Sequence, residues 1–190
     1  MAVQGVGGLG HLAIQFARRM GFRTVAIARG QEKEPLALAL GAMAYIDTQT
    51  GDAATPLQQM GGAKVILATA ASGSSMGPLV GGLAPRGRLV VAGASPEPIR
   101  VDIGQLIFGL RSVEGTLSGT PADIQDTLAF SALAQVRPMI ETLDLERAAQ
   151  ACARMMQGKA RFRMVLVTNQ SRVRRATDSE EKNQTLLGHE

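Results

Sequence analysis

Apolar residues follow two different rhythms along this 190-residue chain. After an opening cluster of glycines, Leu9, Leu12, Ile14, Phe16 and Met20 leave Gln15, Arg18 and Arg19 for a polar side, and the pattern stops at Gly21. That spacing predicts an amphipathic helix. The next run, TVAIA, is continuous rather than periodic and reads as a buried strand. A second helical pattern, PLALALG, carries Pro35 in its first turn and Gly41 just past its end, where a left-handed residue is wanted. AYID predicts a strand, GDAATPLQQMGG a loop with a short helix, and KVILATA another strand. Beyond these come a helix around Met76 to Leu83, the strand GRLVVAG, a loop with Pro96 and Pro98, a helical IGQLIFGL and the strand SVEGTL.

Strands thus alternate with helices, and the strands are uniformly apolar instead of alternating. A sheet covered on both faces requires that composition, so the expected fold is α/β, a Rossmann-like doubly wound parallel sheet with helices on both faces. From Pro121 the pattern changes to a long helix, then RPMIETLDL, a helix ERAAQACARMMQG and a last strand FRMVLV. The expected division is a larger α/β unit over residues 1–136, a C-terminal segment over 137–168, and a tail over 169–190. The tail, with low hydrophobicity and mixed charge, is expected to stay unfolded.

The opening glycines give this frame its chemistry. Gly5, Gly7 and Gly10 have the spacing G-x-G-x-x-G between a short first strand (Ala2, Val3, Gln4, expected to be clipped) and a helix. In a βαβ unit the first glycine makes a tight turn, the second lets the backbone approach a pyrophosphate, and the third lets helix and strand pack closely. The helix N-terminus then offers N–H groups and partial positive charge to the anion. At the end of the second strand, where NAD-selective sites usually carry a carboxylate, stand Ala28 and Arg29, with Lys33 nearby. No carboxylate there repels a 2′-phosphate, so the expected cofactor is NADP, with NAD possible. The alternative is that Arg29 and Lys33 are ordinary solvated charges near a helix start.

Charge and composition narrow the rest. The net charge is +4, with one Tyr and no Trp, and no helix-turn-helix, RNA-recognition or zinc-finger spacing occurs. Nucleic acid is therefore not the expected partner, and an anionic small molecule fits the same charge. No apolar run approaches the roughly 20 residues that span a bilayer, and Arg18 and Arg19 follow the apolar N-terminal stretch, the reverse of a secretory signal. With Cys152 as the single cysteine, a cytoplasmic location is expected.

GVGGLGH followed by strand, helix and basic turn resembles the zinc-type medium-chain alcohol dehydrogenases, in their nucleotide-binding domain. EKEPLALALGAMAYID, GRLVVAG, SVEGTLSGTPAD and GKARFRMVL match further family segments in order, over about residues 2 to 168. The resemblance implies that Gly7, Gly8, Leu9 and Gly10 form the pyrophosphate loop and that Lys33 lies near the adenosine ribose. It also implies that Thr69, Gly93 and Ala94 face the cofactor from strand ends, that Thr116 and Leu117 form the nicotinamide-side turn, and that Arg163 contacts the pyrophosphate. Residues 137–168 correspond to the part that returns to the catalytic domain. In such families the sixth strand pairs across a dimer interface, so a homo-oligomer through the sheet edge is a candidate assembly.

The family's zinc ligands lie in an N-terminal catalytic domain, and none of those positions exists in this sequence. Zinc is therefore expected only in a complete family member, and no metal or catalytic residue is assigned here. His11 is expected near phosphate or solvent, Cys152 in a helical core, and His189 in the tail. No H-E-x-x-H or G-x-S-x-G occurs. The expected function is the cofactor-binding portion of an alcohol dehydrogenase-like oxidoreductase. The alternative is a noncatalytic NAD(P)-binding module or truncated relic.

Overall fold

The computed structural model describes residues 1–168, and the expected unfolded tail and His189 lie outside them. Two compact units divide the chain, Met1–Arg137 and the residues from Pro138 onward. In the first, six strands alternate with helices: β1 (Ala2–Gln4), α1 (Gly10–Arg19), β2 (Val25–Ala28), α2 (Glu34–Ala39), β3 (Ala44–Asp47), α3 (Ala54–Gln59), β4 (Ala63–Ala68), α4 (Gly73–Met76), β5 (Leu83–Val91), α5 (Ile103–Gly109), β6 (Ser112–Gly115) and α6 (Pro121–Ala134).

All six strands are parallel, in the order β3-β2-β1-β4-β5-β6. The chain therefore winds outward twice from the centre, once through β1, β2 and β3 and once through β4, β5 and β6. Right-handed crossovers then place the helices of the two halves on opposite faces, and the strand order reverses between β1 and β4. Central strands sealed on both sides must be apolar throughout. Every residue of β1 and β2 is buried, and Val3, Ile27, Ile66, Leu83 and Leu89 are fully enclosed together with Ile14 of α1 and Met76.

Local signals set the helix ends. Past α1, Gly21 takes a positive φ of 86° while Phe22 N–H reaches back to the Ala17 carbonyl at 3.0 Å, so the terminal carbonyls are satisfied. Gly41 does the same after α2. At α6, Thr120 Oγ1 accepts from Asp123 N–H and the Asp123 carboxylate accepts from Thr120 N–H, a reciprocal capping box.

Two expectations change. The helix expected over Met76 to Leu83 is a four-residue α4 followed by 3₁₀ turns over Gly77–Gly82, and Leu83 already belongs to β5. That strand begins four residues before GRLVVAG, because its pairing with β4 continues past an irregularity between Ala63 and Val65. Arg86, at φ 60°, carries the chain through that irregularity in a left-handed conformation.

The second unit contains β7 (Ile140–Asp144), α7 (Ala148–Met156) and β8 (Arg163–Val167), with β7 and β8 parallel. Strand β7 lies within RPMIETLDL, where the sequence pattern assigned no element. Cys152 is exposed, not core: Ala151 occupies the buried face of α7, one residue out of phase with the expected position. No helix among the described residues is long and apolar enough to cross a membrane.

Candidate functional site

All six strands run the same way, so the loops after β1, β2, β3 and β4 meet at one edge, beside the point where the strand order reverses. A cleft of about 640 Å³ opens there. Gly5, Gly7, Gly8 and Leu9 line it together with Arg29, Lys33 and Thr69. Seven of the thirteen residues singled out from the sequence thus share one cavity.

The glycine loop is shaped by two unlike constraints. A Cβ on Gly5 would lie 2.6 Å from Thr69 Oγ1, and one on Gly10 would run into the Gly5 carbonyl oxygen. Those glycines let β1, the loop and α1 close on one another. A Cβ on Gly7, by contrast, would meet no protein atom within 4 Å. Packing does not demand a glycine at position 7, and the open space there is the cleft itself. In the first turn of α1 the His11 N–H donates to the Gly7 carbonyl at 3.0 Å and those of Leu12 and Ala13 to the Leu9 carbonyl at 3.1 and 3.0 Å, which leaves the N–H groups of the loop before them, at the positive end of the helix dipole, for an anion.

Thr69 serves the scaffold as well as the cavity, since its N–H and Oγ1 both donate to the Gln4 carbonyl, at 3.0 and 2.7 Å. Gly10 lies just behind the cavity wall. Gly93, whose Cβ would strike the Ala70 backbone, and Ala94 follow β5, and Thr116 and Leu117 follow β6. These four sit farther along the same carboxyl edge and are not walls of the cleft. Arg163 opens β8 in the second unit and is exposed.

His11 departs from expectation. Its ring is fully buried in the first turn of α1, and Nδ1 lies 2.8 Å from the Gly7 carbonyl. A carbonyl only accepts, so Nδ1 carries the proton and the ring braces the loop from within. The sequence predicted solvent or phosphate because it could not show which side of α1 faces the sheet.

Several lining residues went unnoticed in the sequence, Gln4, Thr48 and Asp52 among them. Gln4 ends β1 only 6% exposed, with Nε2 donating to Ser75 O and Ser75 Oγ at 3.1 and 2.9 Å. Those partners fix the amide orientation and leave Oε1 a buried acceptor with no donor among the described residues. Thr48 and Asp52 line the cleft beyond the end of β3. Thr55 N–H and Oγ1 donate to Asp52, holding its carboxyl below the usual range. Lys33 donates to the Arg29 carbonyl and lies 3.7 Å from Glu32.

Residues 8–133 match the sequence profile of the family described as zinc-binding dehydrogenase, most of the chain. The chain belongs to the zinc-binding dehydrogenase family. An alcohol dehydrogenase of Aspergillus sp. (strain MF297-2) is 44% identical over 167 residues, 87% of this chain and 49% of that protein. A probable formaldehyde dehydrogenase of Bacillus subtilis is 36% identical, again over 87% of this chain and 47% of its own length. Among solved structures, a cinnamyl alcohol dehydrogenase of Sorghum bicolor superposes with a TM-score of 0.77 at 31% identity, covering 87% of this chain and 46% of that one. The zinc-binding dehydrogenase chain spans about half the length of the curated relatives it matches, and it matches the cofactor-binding portion of alcohol dehydrogenase-like oxidoreductases.

The family name implies zinc and a nicotinamide cofactor, and the two fare differently against these residues. No group of three or more His, Cys, Asp or Glu side chains comes together among the described residues, and His11 is committed to Gly7, so the zinc does not fit here. A dinucleotide does fit: the space over Gly7, the α1 N-terminus and the rim cations all face or border one cavity.

Proposed function

We propose that this chain is the NADP-preferring half of an oxidoreductase that, complete, moves hydride between an alcohol or aldehyde and the cofactor. The carrying observation is the open space over Gly7 at the head of α1, flanked by Arg29 and Lys33 with Ala28 at the end of β2. Gly7, Gly8, Leu9 and Gly10 would cradle the pyrophosphate by their backbone, since N–H groups bind an anion without side-chain reorganisation. Arg29 and Lys33 would attract the 2′-phosphate. Thr69, Gly93, Ala94, Thr116 and Leu117 would lie along the nicotinamide half, and Arg163 would reach the pyrophosphate. When bound, the nicotinamide supplies or accepts the hydride.

The reading divides the chain at about residue 136, places the protein in the cytoplasm and allows a homo-oligomer through the β6 edge. Exposed apolar side chains on and just past that strand support the last, Val113 on β6 and Leu117 beyond it, the latter 93% accessible. A second reading, a noncatalytic NAD(P)-binding module, would use the same cleft.

Calorimetric titration with NADPH and NADH tests the first reading. NADPH should bind about tenfold more tightly, the scale of one charge-assisted contact at a partly exposed rim. Arg29→Asp should narrow or reverse the gap. Tighter binding of NADH by the unmodified protein would overturn the cofactor assignment.

A further inference from the structure

Between β2 and α2 the chain turns at Gly30, and β3 holds both polar backbone groups of that residue. Gly30 N–H donates to Asp47 Oδ1 at 2.8 Å, and the Tyr45 hydroxyl donates to the Gly30 carbonyl at 2.5 Å. The register explains this reach. Ala28 pairs with Asp47 and Ala26 with Tyr45, so two side chains on one face of β3 bracket the turn leaving the neighbouring strand. Thr48 N–H closes the arrangement on the Ala28 carbonyl at 2.9 Å.

The turn needs such support. Gly30 sits at φ 95° and ψ 129°, a conformation only glycine adopts easily and one that glycine leaves easily. The residue before it is Arg29, and Lys33 follows three residues later. Both line the cleft, and Lys33 Nζ donates to the Arg29 carbonyl. The direction in which these two cations face the cavity is therefore set by a flexible residue fastened from β3. Asp47 is not itself a wall of the cleft.

We propose that Asp47 is a positioning residue for cofactor selectivity: by accepting from Gly30 N–H it fixes the turn that presents Arg29 and Lys33, and thereby the preference for a dinucleotide bearing a 2′-phosphate. The proposal rests on the NADP reading above. Tyr45 secures the carbonyl of the same residue, in the next peptide unit. The carboxylate also faces Lys33, and its Oδ1 takes Gln49 N–H at 2.8 Å, so geometry and charge must be separated by experiment.

Three variants separate them. Asp47→Asn keeps an oxygen that accepts from Gly30 N–H and removes the charge, Asp47→Ala removes both, and Tyr45→Phe removes the tie on the carbonyl side alone. Dissociation constants for NADPH and NADH are measured calorimetrically on each variant, and amide hydrogen exchange is followed at Gly30 without ligand. The wild-type ratio tests the NADP reading, and the change in ratio among variants tests this proposal. Asp47→Ala should lower the NADPH-to-NADH preference roughly tenfold, mostly through NADPH, and speed exchange at Gly30. Asp47→Asn should retain both the preference and the protection, and Tyr45→Phe should shift the ratio in the same direction as Asp47→Ala but less. If Asp47→Ala and Asp47→Asn both strengthen NADPH binding equally, Asp47 acts by charge and the proposal fails. It fails equally if Gly30 exchange rises with no change in ratio. Should Asp47→Ala not fold, an unchanged ratio in Tyr45→Phe with faster Gly30 exchange overturns it.

Discussion

The ring of Phe16 on α1 stacks on the ring of Phe130 on α6, with centroids 5.8 Å apart and planes inclined by 23°. Beside it, Gln15 exchanges two hydrogen bonds with the backbone of Arg137, at 3.0 and 3.2 Å. These contacts carry much of the attachment of α6, because that helix has no buried residue. Phe130→Ala should release it at a cost of about 1 kcal/mol beyond lost area. Amide exchange should accelerate through α6 and stay slow in β1 and β2. Uniform acceleration across both would show that α6 is integral to the sheet unit.

The two inner glycines of the loop should separate stability from binding. Gly10→Ala forces a methyl into the Gly5 carbonyl, with backbone on both sides, and should cost about 3 kcal/mol or more. Gly7→Ala meets no protein atom and should change stability by less than roughly 0.5 kcal/mol. It should nonetheless weaken dinucleotide binding about tenfold or more, because the added methyl stands where the pyrophosphate would approach. Denaturant midpoints and titrations read the two effects independently. Full-strength binding by Gly7→Ala would move the proposed phosphate site elsewhere.

In the second unit, Arg154 Nη2 lies 2.5 Å from Glu141 Oε2, and Arg161 N–H donates to Glu141 Oε1 at 2.7 Å. The Arg161 backbone bond, followed by Arg154, holds the Glu141 carboxyl below its usual range. A depressed carboxyl contributes order above its unfolded pKa and loses it as pH falls through the folded one. The link between α7 and β7 should therefore persist at neutral pH and weaken only in acid, below the ordinary glutamate range of about 4. Glu141→Gln should remove that acid-dependent step in exchange rates over β7. An identical acid profile in the variant would assign the step to another group.

The 190-residue chain by itself should hold no stoichiometric zinc and should leave alcohols unoxidised. A catalytic zinc takes three protein ligands and keeps one open position, and no such trio assembles among the described residues. Elemental analysis and an alcohol-dependent NADPH assay check this together. Stoichiometric zinc accompanied by turnover would reveal a ligand set outside those residues.

What the sequence determined by itself was everything that short-range chemistry controls. The apolar runs of β2, β3 and β4, the glycines that end α1 and α2, and the G-x-G-x-x-G turn each act within a few residues, so their spacing announced the elements and the α/β class. Tertiary structure decided what depends on distant partners. The burial of His11 and the exposure of Cys152 follow from which side of α1 and α7 finds something to pack on, and periodicity leaves that phase undecided by a residue. The start of β5 at Leu83 came from its pairing with β4, where a non-local ladder overrode a local helical pattern. Likewise Gln4 gains its meaning from Ser75, 71 residues away, and Asp47 from a register that sets it opposite Ala28. The carboxylate absent from the end of β2 is present one strand over, fastened to the turn it borders, and only the pairing of strands could place it there.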